Sequence, residues 1–184
     1  MDEDQQIIAD CQMGKSESYR VLVEKYKTRA YYAALMYSGN QDDALDLSQE
    51  AFYRAFKAIK TFELGKNFYT WLYQILRNLC INHYKRIRKR NIVFSDVDGA
   101  QNYVDYFSDI KNPGEIFEET ERREFIWKAI KKLKPTEREI ILLKEFDELS
   151  YREISEVLAI PIGSVMSRLY YARKRLAELL EELQ

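Results

Sequence analysis

The chain reads as an all-α protein of two helical domains joined by a flexible acidic linker, and three observations say so. Hydrophobic residues make up 46% of 184 residues, with only three prolines and six glycines, a balance that favours long helices. Apolar residues recur at helical spacing on both sides of residues 91–114, where the periodicity stops and Gly99 and Pro113 appear. Charge is also segregated. The net value is −1, yet residues 1–50 hold five basic and ten acidic side chains, residues 51–90 ten and one, residues 91–121 one and eight, and residues 122–184 thirteen and eleven. Blocks of alternating sign imply separate surfaces for separate partners, and the basic block is the natural polyanion contact. These features place a first, four-helix domain at 1–90, the linker at 91–114 and a second domain at 115–184.

The first domain resolves into helices over Gln5–Met13, Ser16–Tyr37, Asp42–Lys60 and Asn67–Arg90, with breaks at Gly14, Ser38-Gly39-Asn40 and Phe62-Glu63-Leu64-Gly65. In the third helix, Leu45, Phe52, Phe56 and Ile59 are expected to form the buried stripe. Asp46, Gln49, Glu50 and Tyr53 then share a polar face that could dock a basic surface, although such a face is more often simply solvated. The fourth helix interleaves aromatics with Lys, Asn and Arg and ends with five basic residues in six, Lys85 to Arg90. Rings beside cations suit single-stranded nucleic acid, because bases stack on the rings while phosphates are neutralised. Trp71 is expected to be mostly core, whereas Tyr69 and Tyr73 are hard to bury together. The only histidine, His83, falls in this basic helix, where it either touches nucleic acid or is merely exposed.

The second domain is expected to hold helices over Glu115–Leu133, Thr136–Phe146, Ser150–Leu158 and Ile162–Leu180. Thr136 with Glu139, and Ser150 with Glu153, have capping-box spacing. Ile154, Val157 and Leu158 line one face of the short helix, which Ala159-Ile160-Pro161 terminates. The last helix carries an inward stripe of Val165, Leu169, Ala172, Leu176 and Leu179. Opposite it lie Ser164, Ser167, Arg168, Tyr171, Lys174 and Arg175. This is a helix-turn-helix pattern, in which the second helix enters the major groove and Arg reads a guanine edge or grips a phosphate. An amphipathic helix in an ordinary bundle would show the same pattern.

No phosphate-binding glycine loop, metal-ligand cluster or nucleophile–base set is visible, so the reading is a non-enzyme without cofactor. Cys11 and Cys80 are isolated, which fits a reduced, cytoplasmic protein, and Cys80 sits among Leu76, Leu79 and Ile81 as a core residue would. The start Met1-Asp2-Glu3-Asp4 does not read as a signal peptide, and no apolar run approaches membrane-spanning length.

Taken together, Asp46-Leu-Ser-Gln49-Glu50, Phe68-Tyr-Thr-Trp71-Leu-Tyr-Gln-Ile with its basic continuation, and Leu133-Lys-Pro-Thr-Glu-Arg-Glu followed by the helix-turn-helix resemble the extracytoplasmic-function (ECF) sigma factors, promoter-recognition subunits of bacterial RNA polymerase. The resemblance covers nearly the whole chain in the correct order. It implies a sigma region 2-like first domain and a sigma region 4-like second domain. Asp46, Gln49, Glu50 and Tyr53 would then bind core polymerase. The Phe62–Tyr69 loop would capture a flipped base of the −10 element, with Lys66, Asn67 and Phe68 nearest and Tyr69 and Trp71 beside them. Asn78, Asn82 and Arg86 would lie along the adjacent duplex, and Lys85 through Arg88, Lys89 and Arg90 on phosphates. Ser164, Ser167, Arg168, Tyr171, Arg173 and Lys174 would meet the −35 element; one departure is Met166, where many members carry a basic residue. The implied partners are core RNA polymerase, promoter DNA (duplex at −35, single-stranded at −10) and, where one exists, an anti-sigma factor, with no membrane insertion. The competing reading is a conventional helix-turn-helix regulator whose first domain senses a ligand or dimerises.

Overall fold

A computed structural model describes residues 3–89 and 125–182. All regular structure among them is helical, and the chain divides into two compact units, Met1–Val97 and Asp98–Gln184. The expected linker at 91–114, and the start of the helix expected at Glu115, lie outside the described residues.

The first unit contains α1 (Glu3–Gln12), α2 (Tyr19–Ser38), α3 (Gln41–Ala58) and α4 (Phe68–Lys89), with short 3-10 turns at Ser16–Ser18 and Ile59–Thr61. Helices α2, α3 and α4 pack on one another, and α1 lies against α2 through buried Ile8 and Cys11. Alanines at 30, 33 and 34 of α2 and at 44, 51 and 55 of α3 are buried. Small side chains let two helix axes approach closely. The α2–α3 corner follows from its residues. Gly39 takes φ 64° and its N–H reaches the Leu35 carbonyl, while the Asn40 side chain accepts from the Asp43 amide at 3.0 Å. Asp42 and Asp43 then sit in the first turn of α3, where negative charge is favoured.

Of the stripe expected on α3, Phe52 and Ile59 are buried and Leu45 and Phe56 are not. The buried face of the helix consists of Ala44, Leu47, Ser48, Ala51, Phe52 and Ala55, whereas Leu45 is 49% and Phe56 37% exposed. The two exposed residues lie at the rim of the α2 contact, Leu45 on a groove shared with Tyr31 and Tyr32 and Phe56 with its ring 5.0 Å from that of Tyr19, while the alanines are covered.

The start of α4 corrects the sequence reading more sharply. Phe68 and Tyr69 are each 1% exposed, and Tyr73 is buried with them. Phe68 is the hub of an aromatic cluster, with ring centroids 5.6 Å from Tyr26, 6.0 Å from Trp71, 6.1 Å from Phe62 and 6.4 Å from Tyr19. Tyr69 stacks on Tyr26 at 5.5 Å and lies under the Arg29 guanidinium at 3.8 Å. Offset rings and a cation over a ring face add to the area that each side chain buries. Two tyrosines are buried together because α2 answers them with its own aromatic and cationic groups. Trp71, expected to be mostly core, is only half-buried, edge-on to Phe62 at 5.2 Å.

The second unit contains α5 (residues 125–132), α6 (Pro135–Ile141), α7 (Tyr151–Leu158) and α8 (Ile162–Glu182). Pro135 opens α6, and Glu137 accepts from the Lys134 amide at 3.0 Å, so the helix is capped two residues earlier than Thr136 and Glu139 suggested. Arg138 reaches back to the Ile130, Lys131 and Leu133 carbonyls and satisfies acceptors at the end of α5. Ile140, Ile141, Leu142 and Leu143 are all buried, and over Leu142–Phe146 the helix widens into a π turn. Trp127 and Phe146 meet at 5.0 Å.

Candidate nucleic-acid and partner interfaces

On α3, Asp46, Gln49 and Tyr53 are exposed and Glu50 is half-buried. Glu50 is bound by Arg54 at 2.6 Å, and Lys57 sits 5.0 Å over the Tyr53 ring. Spaced at i, i+3, i+4 and i+7, the four expected docking residues lie on one outward side of α3, whose two edges border different clefts. Asp46 and Glu50 border a cleft of about 420 Å³ between α3 and α4, opposite Asn82 and Arg86. Gln49 instead borders a groove of about 460 Å³ between α3 and α2, with Leu45, Tyr31 and Tyr32. The fold thus brings the acidic residues beside two that the sequence assigned to DNA. The apolar groove went unread in the sequence; the adjacent pair Tyr31-Tyr32 was its only signal.

Asn78, Asn82, Lys85 and Arg86 are exposed along one side of α4. Their spacing by four, three and one keeps them together on a helix. Arg88 and Lys89 fall in the last turn of α4, and Arg90 lies outside the described residues. His83 neither joins that face nor stands free. Its side chain is 14% exposed, and Nε2 lies 3.3 Å from Asp43 Oδ2 without hydrogen-bond geometry, while Nδ1 is 3.5 Å from Arg86. It belongs to the α3–α4 contact.

In the loop before α4, Phe62 is buried while Glu63, Leu64, Gly65, Lys66 and Asn67 are exposed. Lys66 pairs with Glu63 at 2.8 Å, and Asn67 Oδ1 accepts from the Thr70 amide at 3.0 Å, so Asn67 is the N-cap of α4. Of the residues expected nearest a captured base, Lys66 and Asn67 are accessible. Phe68 and Tyr69 are not; they hold the core under the loop. The sequence reading also missed Gln5 and Gln12 of α1, whose side chains bond the backbone of this segment across 47 to 61 residues. No local pattern announces such contacts.

In the second unit, Ser150 and Glu153 make the expected reciprocal cap. Helix α7 ends with Ala159 at φ 53°, and Pro161 donates no amide but its carbonyl accepts from Ser164 and Val165, starting α8. Val165, Leu169, Ala172 and Leu179 are buried, with Leu176 half-buried. Opposite them Ser167, Arg168, Tyr171 and Lys174 are exposed and Ser164 half-exposed, a continuous strip beginning at the helix N-terminus. Arg173 is the exception. It binds Glu145 at 2.9 and 2.5 Å, tying α8 to the π turn rather than standing on the strip. Tyr170, exposed beside Tyr171 at 5.4 Å, is an addition.

Burial pushes the Cys80 thiol up to about 12, which leaves it protonated and inert, as its core position requires. Among the described residues no His, Cys, Asp and Glu grouping could hold a metal, and no helix is long and apolar enough to cross a membrane.

Sigma-70 region 2 matches residues 22–90, and sigma-70 region 4 matches residues 123–176. The ECF RNA polymerase sigma factor SigW of Bacillus subtilis is 32% identical over 96% of this chain and 96% of its own length. The ECF sigma-E factor of Escherichia coli is 32% identical over 98% of this chain and 95% of its own. The sigma factor RpoE of Bartonella quintana, solved with the anti-sigma factor NepR, is 25% identical with a TM-score of 0.64, covering 90% of this chain and 98% of that one. A helical unit with an open basic helix and a separate helix-turn-helix unit define a two-module promoter-reading protein of the sigma-70 class. The chain belongs to the ECF RNA polymerase sigma factors. It is an alternative sigma factor and directs RNA polymerase at transcription initiation; the conventional-regulator reading is not favoured.

Proposed function

We propose that the chain divides its work between domains 1–90 and 115–184, with 91–114 as the tether between them. Asp46 and Glu50, at the α3–α4 cleft, with Gln49 and Tyr53 beside them on α3, dock core polymerase. Lys66 and Asn67 meet an unpaired −10 base, and Asn78, Asn82, Lys85 and Arg86 run along the adjoining duplex, with Arg88, Lys89 and Arg90 continuing on phosphates. Ser164, Ser167, Arg168, Tyr171 and Lys174 face the −35 major groove. The observation that supports this most directly is the open strip of Asn78, Asn82, Lys85 and Arg86 on the helix that the exposed loop leads into.

With no nucleotide-hydrolysis motif in the sequence, strand opening is driven by binding. Unpairing costs about 1.4 kcal/mol per base-pair step, and each captured base returns ~1–3 kcal/mol. A few captured bases and polymerase contacts offset a short opening. Because Phe68 and Tyr69 are buried, base capture relies on the loop's polar groups and on half-exposed Trp71. The Asn67 Oδ1 is committed to its cap, so its Nδ2 is the group available to a base. The chain acts by binding in the cytoplasm, without catalysis of its own. An anti-sigma factor of the kind bound to the Bartonella protein would find the apolar α2–α3 groove and the acidic cleft as separate footholds.

The test is co-purification with core polymerase. Asp46→Lys with Glu50→Lys is expected to abolish it, while the folded content measured by circular dichroism stays unchanged. Normal co-purification by the double variant would overturn the docking assignment.

A further inference from the structure

The Glu63–Asn67 loop is exposed, and a Cβ at Gly65, where φ is +92°, would meet nothing within 4 Å. Such a segment has little packing to set its shape beyond a turn bond from the Lys66 amide to the Glu63 carbonyl at 3.3 Å and the Glu63–Lys66 pair. Four hydrogen bonds from α1 add to these, two at the loop tip and two just before the loop. Gln12 Nε2 donates to the Ile59 carbonyl at 3.0 Å and to the Phe62 carbonyl at 2.8 Å, before the loop. Gln5 Oε1 accepts from the Gly65 amide at 2.6 Å, and its Nε2 donates to the Lys66 carbonyl at 2.7 Å, at the tip. Residues seven apart lie two turns along the same face of a helix, so α1 reaches both ends of the segment with one side.

A carboxamide accepts from one backbone group and donates to the next with the same side chain; a carboxylate only accepts. The α1 helix is itself fixed. Asp4, 4% exposed, accepts from Lys25 at 2.6 Å and from the Tyr26 hydroxyl, and Tyr26 stacks on Tyr69 at the start of α4. Gln5 follows Asp4 directly. The loop is therefore referenced through α1 to the same tyrosine that packs on the helix the loop leads into. This helix precedes the residues 22–90 that sigma-70 region 2 matches.

We propose that α1 is a clamp for the base-reading loop: Gln5 and Gln12 are positioning residues that hold residues 59–66 in the shape that presents Lys66 and Asn67 to an unpaired −10 base. The proposal rests on the −10 reading of the loop. A binding segment that is competent for only a fraction of the time binds more weakly by that fraction. Release of the clamp that lowers the competent fraction to about a tenth weakens the loop's binding to its preferred base about tenfold, and −10 discrimination falls with it because binding that bypasses the loop is unchanged.

The test uses the full chain with purified core polymerase, transcribing from a template library randomised in both upstream hexamers. Gln5→Leu and Gln12→Leu are expected to flatten the preference in the hexamer nearer the start site about tenfold, leaving the distal preference and polymerase loading intact. Gln5→Glu, which keeps the acceptor for Gly65 and loses the donor to Lys66, is expected to fall between wild type and Gln5→Leu. Hydrogen exchange at the Gly65 amide should accelerate in Gln5→Leu and stay slow in Gln5→Glu. Lys66→Ala with Asn67→Asp, which preserves a capping oxygen, serves as the control on the loop. Flattening by that control but not by the glutamine variants overturns the clamp and leaves the −10 reading standing. An unaffected control overturns the −10 reading and the clamp with it. Parallel loss of both hexamer preferences and of polymerase loading in every glutamine variant would reduce the two residues to structural support, which also overturns the proposal.

Discussion

Asp4 shows how one side chain can anchor an element. Its carboxylate is buried, yet both its partners come from α2, Lys25 and Tyr26. A buried donor left without its acceptor costs about 1–3 kcal/mol. Asp4→Ala is therefore expected to destabilise the fold by about that much, read as a lower denaturation midpoint. Tyr26 reports the same contact through pH. Burial first, and then the hydrogen bond and charge of Asp4, raise its phenol to about 12. The folded state thus holds this proton more tightly than the unfolded chain, whose phenols titrate near ~10. The stabilisation is complete below about pH 10 and is lost as pH rises through about 12. A denaturation series across that window should fall less steeply in Tyr26→Phe than in wild type.

Among the elements, the α7–α8 turn carries a strained residue. Ala159 occupies the left-handed region at φ 53°, closing α7 through the Ser155 carbonyl. That conformation costs an L-residue about 1–2 kcal/mol, while glycine brings a backbone entropy cost of about 0.5–1 kcal/mol. Ala159→Gly is expected to stabilise the second unit by about 1 kcal/mol, seen as a rise in its thermal midpoint. Because the exposed strip of α8 is untouched, −35 binding should not change. Helix α4 shows the opposite economy: one element buries Phe68, Tyr69, Leu72, Tyr73 and Leu76 along its first turns and leaves Asn82, Lys85 and Arg86 open further on. A rigid base and a readable surface are then parts of the same rod.

For the whole molecule, two separately folded units suit a protein that must touch two DNA elements and an enzyme at once. Arg168 is exposed on the N-terminal half of α8 and makes the strip's best candidate for a two-pronged base or phosphate contact. Arg168→Ala should weaken binding to a −35-containing promoter by about 1–3 kcal/mol in a holoenzyme binding assay, with −10 preference kept. Unchanged affinity and unchanged sequence preference would remove it from the readout. Arg173→Ala, by contrast, breaks a tie to Glu145 and should act on stability more than on sequence choice.

Periodicity, capping and charge blocks made the helices, the helix-turn-helix and the location of the basic surface legible, because these signals are local: Gly39-Asn40, Ser150 with Glu153, and Pro161 act within a few residues of themselves. What no local signal carried was partnership. Tyr69 is buried because Tyr26 and Arg29, four decades of residues earlier in the chain, stack against it. Leu45 and Phe56 stay part-exposed at the rim of the α2 contact, beside Tyr31-Tyr32 and Tyr19, which periodicity within α3 does not reveal. Gln5 and Gln12 look like ordinary polar residues until the loop backbone is brought beside them. Helix formation is a property of neighbours along the chain; which face is covered, and what a polar side chain holds, depends on elements that only folding brings together.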